Sequence, residues 1–112
     1  MEVRAVARDQ RGSPRKLRLI LDRLPGLGVD QALALLRYAE SPHARTVSKV
    51  VISAAANAEN NFDLNVDEMF IKYAYADEGR TLKRFRARSR GRVSPLLRRS
   101  GHITIVLDER EA

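Results

Sequence analysis

Five arginines, Arg84, Arg86, Arg88, Arg90 and Arg92, fall at every second position of one segment. On a helix they would scatter round the axis. On an extended strand they share one side, with Phe85, Ala87, Ser89, Gly91 and Val93 on the other. Each guanidinium is a planar fork that can hold two oxygens, so such a row suits repeated contacts to phosphate. The surrounding stretch from Arg80 to Arg99 holds nine Lys or Arg in twenty residues and no acid. The chain's net charge of +7 is therefore +9 here and −2 elsewhere. Charge so concentrated is costly to hold together unless a polyanion lies beside it. A solvated, disordered loop is the competing description, because low hydrophobicity with high charge disfavours folding of the isolated segment. Both descriptions hold if nucleic acid is what orders the arm.

Other residue patterns carry weaker chemistry. Ser13-Pro14-Arg15-Lys16 matches the S-x-x-K nucleophile motif, but a hydrolase of that kind needs a Lys-Thr-Gly strand and a much larger fold. Helix capping by Ser13, with phosphate contact nearby, accounts for the same residues. Asp67-Glu68 and Asp77-Glu78 are paired carboxylates with no nucleophile attached, and they read as solvated strand ends. His43 opens a helix and is a candidate phosphate or base contact. His102 opens the last strand, where a structural hydrogen bond is the expectation. Asn57, Glu59, Asn60 and Asn61 form a polar cluster. Helix termination explains Asn60 or Asn61, but Asn57 disfavours a helix interior and so points to an RNA base or sugar. Phe85 either packs across the arm or stacks on a base. The chain has no Cys and two His, so disulfides and thiolate metal sites are excluded. No cofactor, metal or catalytic residue is expected.

The elements that position these residues follow from periodicity. A chain of 112 residues with 44% hydrophobic content supports one modest core. Glu2 to Arg8 alternates as a strand, with Val3, Ala5 and Ala7 on one side. Ser13-Pro14 starts a helix to about Leu24, buried through Leu17, Ile20, Leu21 and Leu24. Arg15, Lys16 and Arg18 then lie near its start, where the dipole disfavours cations unless an external phosphate is shared. After the turn Pro25 to Gly28, Asp30 caps a second helix to about Tyr38, buried through Ala32, Leu35 and Leu36. Ser41-Pro42 starts a third, to about Asn60, with Val47, Val50, Val51, Ala54 and Ala58 as its stripe. The small residues from Ser53 to Ala58 allow close approach by a strand, a helix or an RNA backbone. Glu68 to Ala76 is a second strand, with Met69, Ile71, Tyr73 and Tyr75 on one side. His102 to Leu107 is a third, followed by an acidic tail from Asp108 to Ala112.

The basic stretch is thus an insertion between two strands. The economical geometry is a long β-hairpin that turns near Ser89 to Gly91, with Gly91 at the tip. Ten residues per arm at about 3.3 Å each carry it roughly 30 Å beyond the core. The body is 1–79 and 100–112, and the arm is 80–99. A hairpin this long lacks a core of its own and needs a partner along its length.

Six segments in register are similar to a known family. They are Ser13 to Lys16, Ser53 to Asn61, Ala76 to Gly79, Leu82 to Arg84, Arg88 to Arg92 and His102 to Thr104. Together they resemble the bacterial large-subunit ribosomal protein 22 family over nearly the whole chain. The resemblance implies an α+β fold, three helices packed on a small three-stranded antiparallel sheet with a long protruding β-hairpin. It implies a body on the outer face of the subunit near the tunnel exit. It also implies an arm threaded through rRNA, with tip residues Arg88, Ser89, Arg90, Gly91 and Arg92 lining the nascent-peptide tunnel. Early subunit assembly, macrolide sensitivity and peptide-dependent stalling are the roles it carries. The sequence departs from the pattern at Ala87, where the family has Pro, and near Ser94, where it has an acid. It departs again at Arg86, which replaces an apolar residue, and at Gly101, which replaces Ser before the His. Pro95 in the returning arm removes a ladder donor.

The leading reading is a non-catalytic rRNA-binding protein of the large subunit, in the cytoplasm or an organelle ribosome. Expected RNA contacts are Arg11, Ser13, Arg15, Lys16, Arg18, His43, Asn57, Asn60, Lys83, Arg84, Arg86, Arg88, Arg90, Arg92, Arg98 and Arg99. Expected partners are large-subunit rRNA, neighbouring ribosomal proteins and the nascent peptide. Neither a membrane span nor homo-oligomerisation is expected. The alternative is a non-ribosomal nucleic-acid-binding regulator, although the third helix is too apolar to be a basic recognition helix. A pI near 10.5 fits either.

Overall fold

The alternating and helical periods settle into the order β1 (Val3–Arg11), α1 (Pro14–Leu21), α2 (Val29–Tyr38), α3 (His43–Phe62), a 3-10 turn (Val66–Glu68), β2 (Met69–Ala87) and β3 (Val93–Glu109). This is a computed structural model. It describes residues 2–87 and 93–109, with segments 80–87 and 93–98 described by their backbone alone. The expected turn at Ser89 to Gly91 and the tail residues 110–112 lie outside the described residues. The sheet is antiparallel, with order β1-β3-β2, so the last strand is the central one. The fold is α+β, three helices on a three-stranded antiparallel sheet.

The core forms where the apolar faces meet. Val3 and Ala5 from β1, Met69, Ile71 and Ala76 from β2, and Ile103, Ile105 and Leu107 from β3 are buried against the helices. From α1 come Leu17, Ile20 and Leu21, with Leu24 just beyond the helix end. From α3 come Ala44, Val47, Val50, Val51, Ala54 and Ala58. The alanines of α3 let the helix lie close to β1 and β3, as a run of small residues on one face allows. Gly101 plays the same part on β3, since a Cβ there would stand 2.8 Å from Leu17 Cδ1 and 3.4 Å from the Asp77 carbonyl. The missing side chain at this position lets α1 close on the central strand.

Several expected boundaries shift, each for a local reason. β1 does not end at Arg8. Asp9 takes a left-handed φ of 54° in a bulge between Ala7 and Gln10, and pairing with β3 resumes to Arg11↔Ser100. Asp30 does not cap α2. The cap is Gly28, whose N–H donates to Gln31 Oε1 at 3.0 Å, and Asp30 sits in the first turn. α3 runs through Asn60 and Asn61 to Phe62, and Asp63 closes it in the left-handed conformation at φ 53°. Leu64 N–H then turns back to the Ala58 carbonyl at 3.0 Å. The last strand continues past Leu107 to Glu109, so Asp108 and Glu109 pair with Phe70 and Met69 instead of starting a tail.

The largest revision concerns β2. Met69 and Ile71 share one side, which is buried, but the register slips between Ile71 and Tyr73. One extra residue reverses the parity of everything after it. Ala74 and Ala76 therefore face the helices, and Tyr73 and Tyr75 face away, 52% and 40% exposed.

Candidate nucleic-acid interface

β2 and β3 do not stop where the body does. Pairing with β1 ends at Arg11↔Ser100, while β2 and β3 stay paired from Thr81↔Arg99 to Ala87↔Val93. The result is a two-stranded ribbon leaving a three-stranded sheet, in a molecule of principal extents 67 × 26 × 17 Å. Its register is unbroken through Phe85↔Pro95. Both strands of a two-stranded ribbon have a free edge, and a proline is tolerated there. Lys83 stands opposite Leu97, Arg84 opposite Leu96, Arg86 opposite Ser94 and Arg98 opposite Leu82. By register, Arg84, Arg86 and Arg98 belong to one side of the ribbon and Lys83 and Arg99 to the other. Arg88, Arg90 and Arg92, with Ser89 and Gly91, lie outside the described residues.

The root of the ribbon is held by irregularities at one level. β1 bulges between Ala7 and Gln10, and β2 slips between Glu78 and Thr81. Across the β1 bulge, Asp9 N–H donates to His102 Nδ1 at 3.0 Å. His102 thus supplies the structural hydrogen bond expected of it, and accepting at Nδ1 leaves the proton on Nε2. The ring stands in for the ladder partner that the bulge removes.

A second basic group gathers where β1 hands over to α1. Ser13 is the N-cap of α1, its Oγ accepting from Lys16 N–H at 3.4 Å, and Pro14 takes the first helical position. The serine's role here is capping. Arg15 and Lys16 are exposed in a first turn that contains no acid. Gly12 precedes the cap at φ +115°, with His43 packed against it. A Cβ on Gly12 would lie 2.6 Å from His43 Cε1, so only glycine fits both the backbone and the ring. His43 N–H donates to Ser41 Oγ at 3.3 Å, which fixes the start of α3 beside this corner. Arg11, Ser13, Arg15, Lys16 and His43 are therefore brought together. Arg99 stands next to Ser100, the partner of Arg11.

Three expected contacts sit elsewhere or do other things. Arg18 belongs to the last turn of an eight-residue α1, not near its start, and the helix dipole favours a cation there. Its Nε and Nη2 both donate to the Ala76 carbonyl, at 3.0 and 2.8 Å, tying α1 to β2. Asn57 Nδ2 donates to the Arg4 carbonyl at 3.3 Å. That bond caps part of the free edge of β1 and explains an asparagine inside a helix without any RNA. Asn57 and Asn60 occupy the C-terminal part of α3, and Asn57 is tied to Arg4. The α1 corner lies at the other end of β1, about 20 Å away at strand rise. The outward placement of Tyr73 and Tyr75 was not read from the sequence. The signal available was the small Ala74 and Ala76 alternating with them, which suits burial beneath a helix better than tyrosine does.

The body's ion pairs are peripheral. Lys72 Nζ lies 2.5 Å from Glu2 Oε1 and 3.6 Å from Asp108 Oδ2. The Glu2 hydrogen bond holds the lysine above its ordinary range. The Glu109 N–H, 2.8 Å from Oδ1, holds Asp108 below its own. Among the described residues there is no cluster of three His, Asp or Glu that could hold a metal, and no helix is long and apolar enough to cross a membrane.

The profile of the ribosomal protein L22p/L17e family matches residues 5–108. Among curated relatives, the large ribosomal subunit protein uL22 of Dehalococcoides mccartyi is 53% identical over 107 residues, covering 96% of this chain and 98% of the relative. The protein of the same name from Macrococcus caseolyticus is 49% identical over 111 residues, covering 99% and 90%. That of Staphylococcus aureus is 49% identical over 109 residues, covering 97% and 93%.

Proposed function

The chain belongs to the ribosomal protein L22p/L17e family, and from that premise we propose that it is a non-catalytic component of the large ribosomal subunit that anchors on rRNA. The observation that carries this reading is the ribbon. Segment 80–99 holds nine cations and no acid, and its described strands, bearing Lys83, Arg84, Arg86, Arg98 and Arg99, stay paired past the end of the third strand of the sheet. Phosphate is the ligand that such a surface needs. The arm residues Lys83, Arg84, Arg86, Arg98 and Arg99 contact rRNA backbone, and the tip residues Arg88 to Arg92 line the nascent-peptide tunnel. The corner of Arg11, Ser13, Arg15, Lys16 and His43 is a second anchor at the root of the arm. Arg18, Asn57 and Asn60 are peripheral to both. Recognition rests on RNA shape, backbone and 2′-OH groups more than on base edges. Neighbouring ribosomal proteins and the nascent peptide are the other partners, in the cytoplasm.

The test is competition. At moderate salt the chain should retain a large-subunit rRNA fragment against excess duplex DNA. Equal retention of the DNA would favour a general nucleic-acid-binding regulator. The tunnel role has its own test, which is to shorten the arm between Arg86 and Pro95 in cells. Unaltered macrolide response and unaltered peptide-dependent stalling would remove that role.

A further inference from the structure

The helices cover one face of the sheet. The other face is open, and the bulge in β2 loads it with aromatic rings. Register lines up two rows across it: Arg4, Val106 and Tyr73, then Val6, Thr104 and Tyr75. Val106 and Thr104, on the central strand between these neighbours, are buried at 4% and 5%. Tyr73, Tyr75 and Val6 remain about half exposed. Two tyrosines two residues apart on one strand place their rings along one line. Lys72 Nζ lies 5.4 Å from the Tyr73 ring centroid and steadies it from one side.

The charges on this face are sorted. At one end Lys72 is neutralised by Glu2 and Asp108. Asp77 follows Tyr75 on β2, opposite His102. The cations are on β1: Arg4, and Arg8 two positions past Val6, both exposed and, among the described residues, in no ion pair. They stand two strand spacings, about 10 Å, from the tyrosines. Phosphate is attracted on the β1 side and repelled by Asp77 on the β2 side, while the π-faces lie on the β2 side. That arrangement fits a nucleotide lying across the strands and does not fit a duplex, whose bases are stacked away.

We propose that the open face of the sheet is a stacking platform for unpaired RNA nucleotides, with bases on Tyr73 and Tyr75 and the backbone on Arg4 and Arg8. The proposal rests on the RNA-binding reading above and adds to it a second, single-stranded contact beside the arm. Open sheets with aromatic rings hold unpaired bases on this principle.

The chain has three tyrosines and no tryptophan, so two of its three emitting side chains lie on the platform and Tyr38 lies off it. Binding of a twelve-residue oligo-uridine and of an RNA duplex should be followed by tyrosine emission and by ultraviolet cross-linking. The single strand should quench emission and cross-link to Tyr73 or Tyr75. Replacing both, Tyr73→Leu with Tyr75→Leu, should abolish the quench and weaken single-strand binding by roughly 30-fold or more, with duplex binding little altered. Tyr73→Phe with Tyr75→Phe should keep the affinity, because a phenyl ring still stacks. Tyr38→Leu should behave as the intact chain. Circular dichroism of the leucine variant checks that it folds, and the phenylalanine variant tests the platform if it does not. If oligo-uridine binds with a salt dependence set by the arm and tyrosine emission is unmoved, the platform is overturned and the RNA-binding reading stands. If neither RNA binds, both are overturned. If the leucine variant binds RNA normally but is lost from subunits assembled from rRNA and ribosomal proteins, a protein covers this face and the proposal fails.

Discussion

The body and the arm are built from the same two strands under opposite rules. Below Arg11↔Ser100, β2 and β3 belong to a sheet with a third strand and a covering of helices, and they bury Ile71, Ile103, Ile105 and Leu107 completely. Above it, only the pairing of β2 with β3 remains. Nonpolar burial stabilises the first region on its own, since each large buried aliphatic contributes on the order of 1.5–3 kcal/mol. A two-stranded ribbon is marginal in water, and a row of like charges makes it worse. The comparison separates two sources of order. On the proposed reading, the body is specified by its own sequence, and the arm by its sequence together with a polyanion.

Variants can break or sharpen that division. The largest effect on the body should come from Leu17→Ala. Leu17 is fully buried where α1 meets β3, and its loss should lower unfolding free energy by about 2–5 kcal/mol in urea titration. RNA affinity per folded molecule should stay the same. Gly12→Ala comes next. It forces a Cβ into a left-handed backbone and against His43, and should cost about 1–3 kcal/mol by the same titration. Asn57→Ala is smaller, about 0.5–1.5 kcal/mol for the bond to Arg4. It also sharpens the comparison, because an RNA-contacting Asn57 would instead show its loss in affinity.

The smallest effect should come from Lys72→Met. Its ion pairs are exposed, and such pairs contribute little. Their pH dependence has a fixed sign. Asp108 is held below its ordinary value, so its contribution is present above that value and is lost as pH falls through the depressed range. Lys72 is held above 10.5, so its contribution is complete below that value and is lost as pH rises through the elevated range. Thermal melts of the variant and the intact chain should coincide outside those limits and also lie close together between them.

Much of this molecule was legible in its sequence. The stripes of α1 and α3 could be read because burial of one helix face leaves a 3.6-residue period, and Ser13-Pro14 marks a helix start by geometry that any fold must obey. The cationic arm was legible because charge needs no structure to be counted. What escaped was single-residue irregularity. A bulge between Ile71 and Tyr73 has no compositional mark, yet it puts two tyrosines on the opposite face from Met69 and Ile71. The bulge at Asp9 lengthened β1 in the same unmarked way. The bonds of Arg18 and Asn57 were hidden because their partners are backbone carbonyls on distant strands. Sequence spacing does not display such pairings. In both cases a polar side chain that looked available for RNA was already bonding to the protein's own backbone.

The most direct test of the division is a salt series on binding to a large-subunit rRNA fragment. The intact chain would be compared with a variant carrying Gln at Lys83, Arg84, Arg86 and Arg98. Each phosphate that the arm no longer neutralises should flatten the slope of log K against log salt by roughly 0.7–0.9, so four should remove about 3. The melting temperature of the body should be unaltered. A slope equal to that of the intact chain would contradict the account, placing the RNA anchor on the body and leaving the arm without the partner that its charge demands.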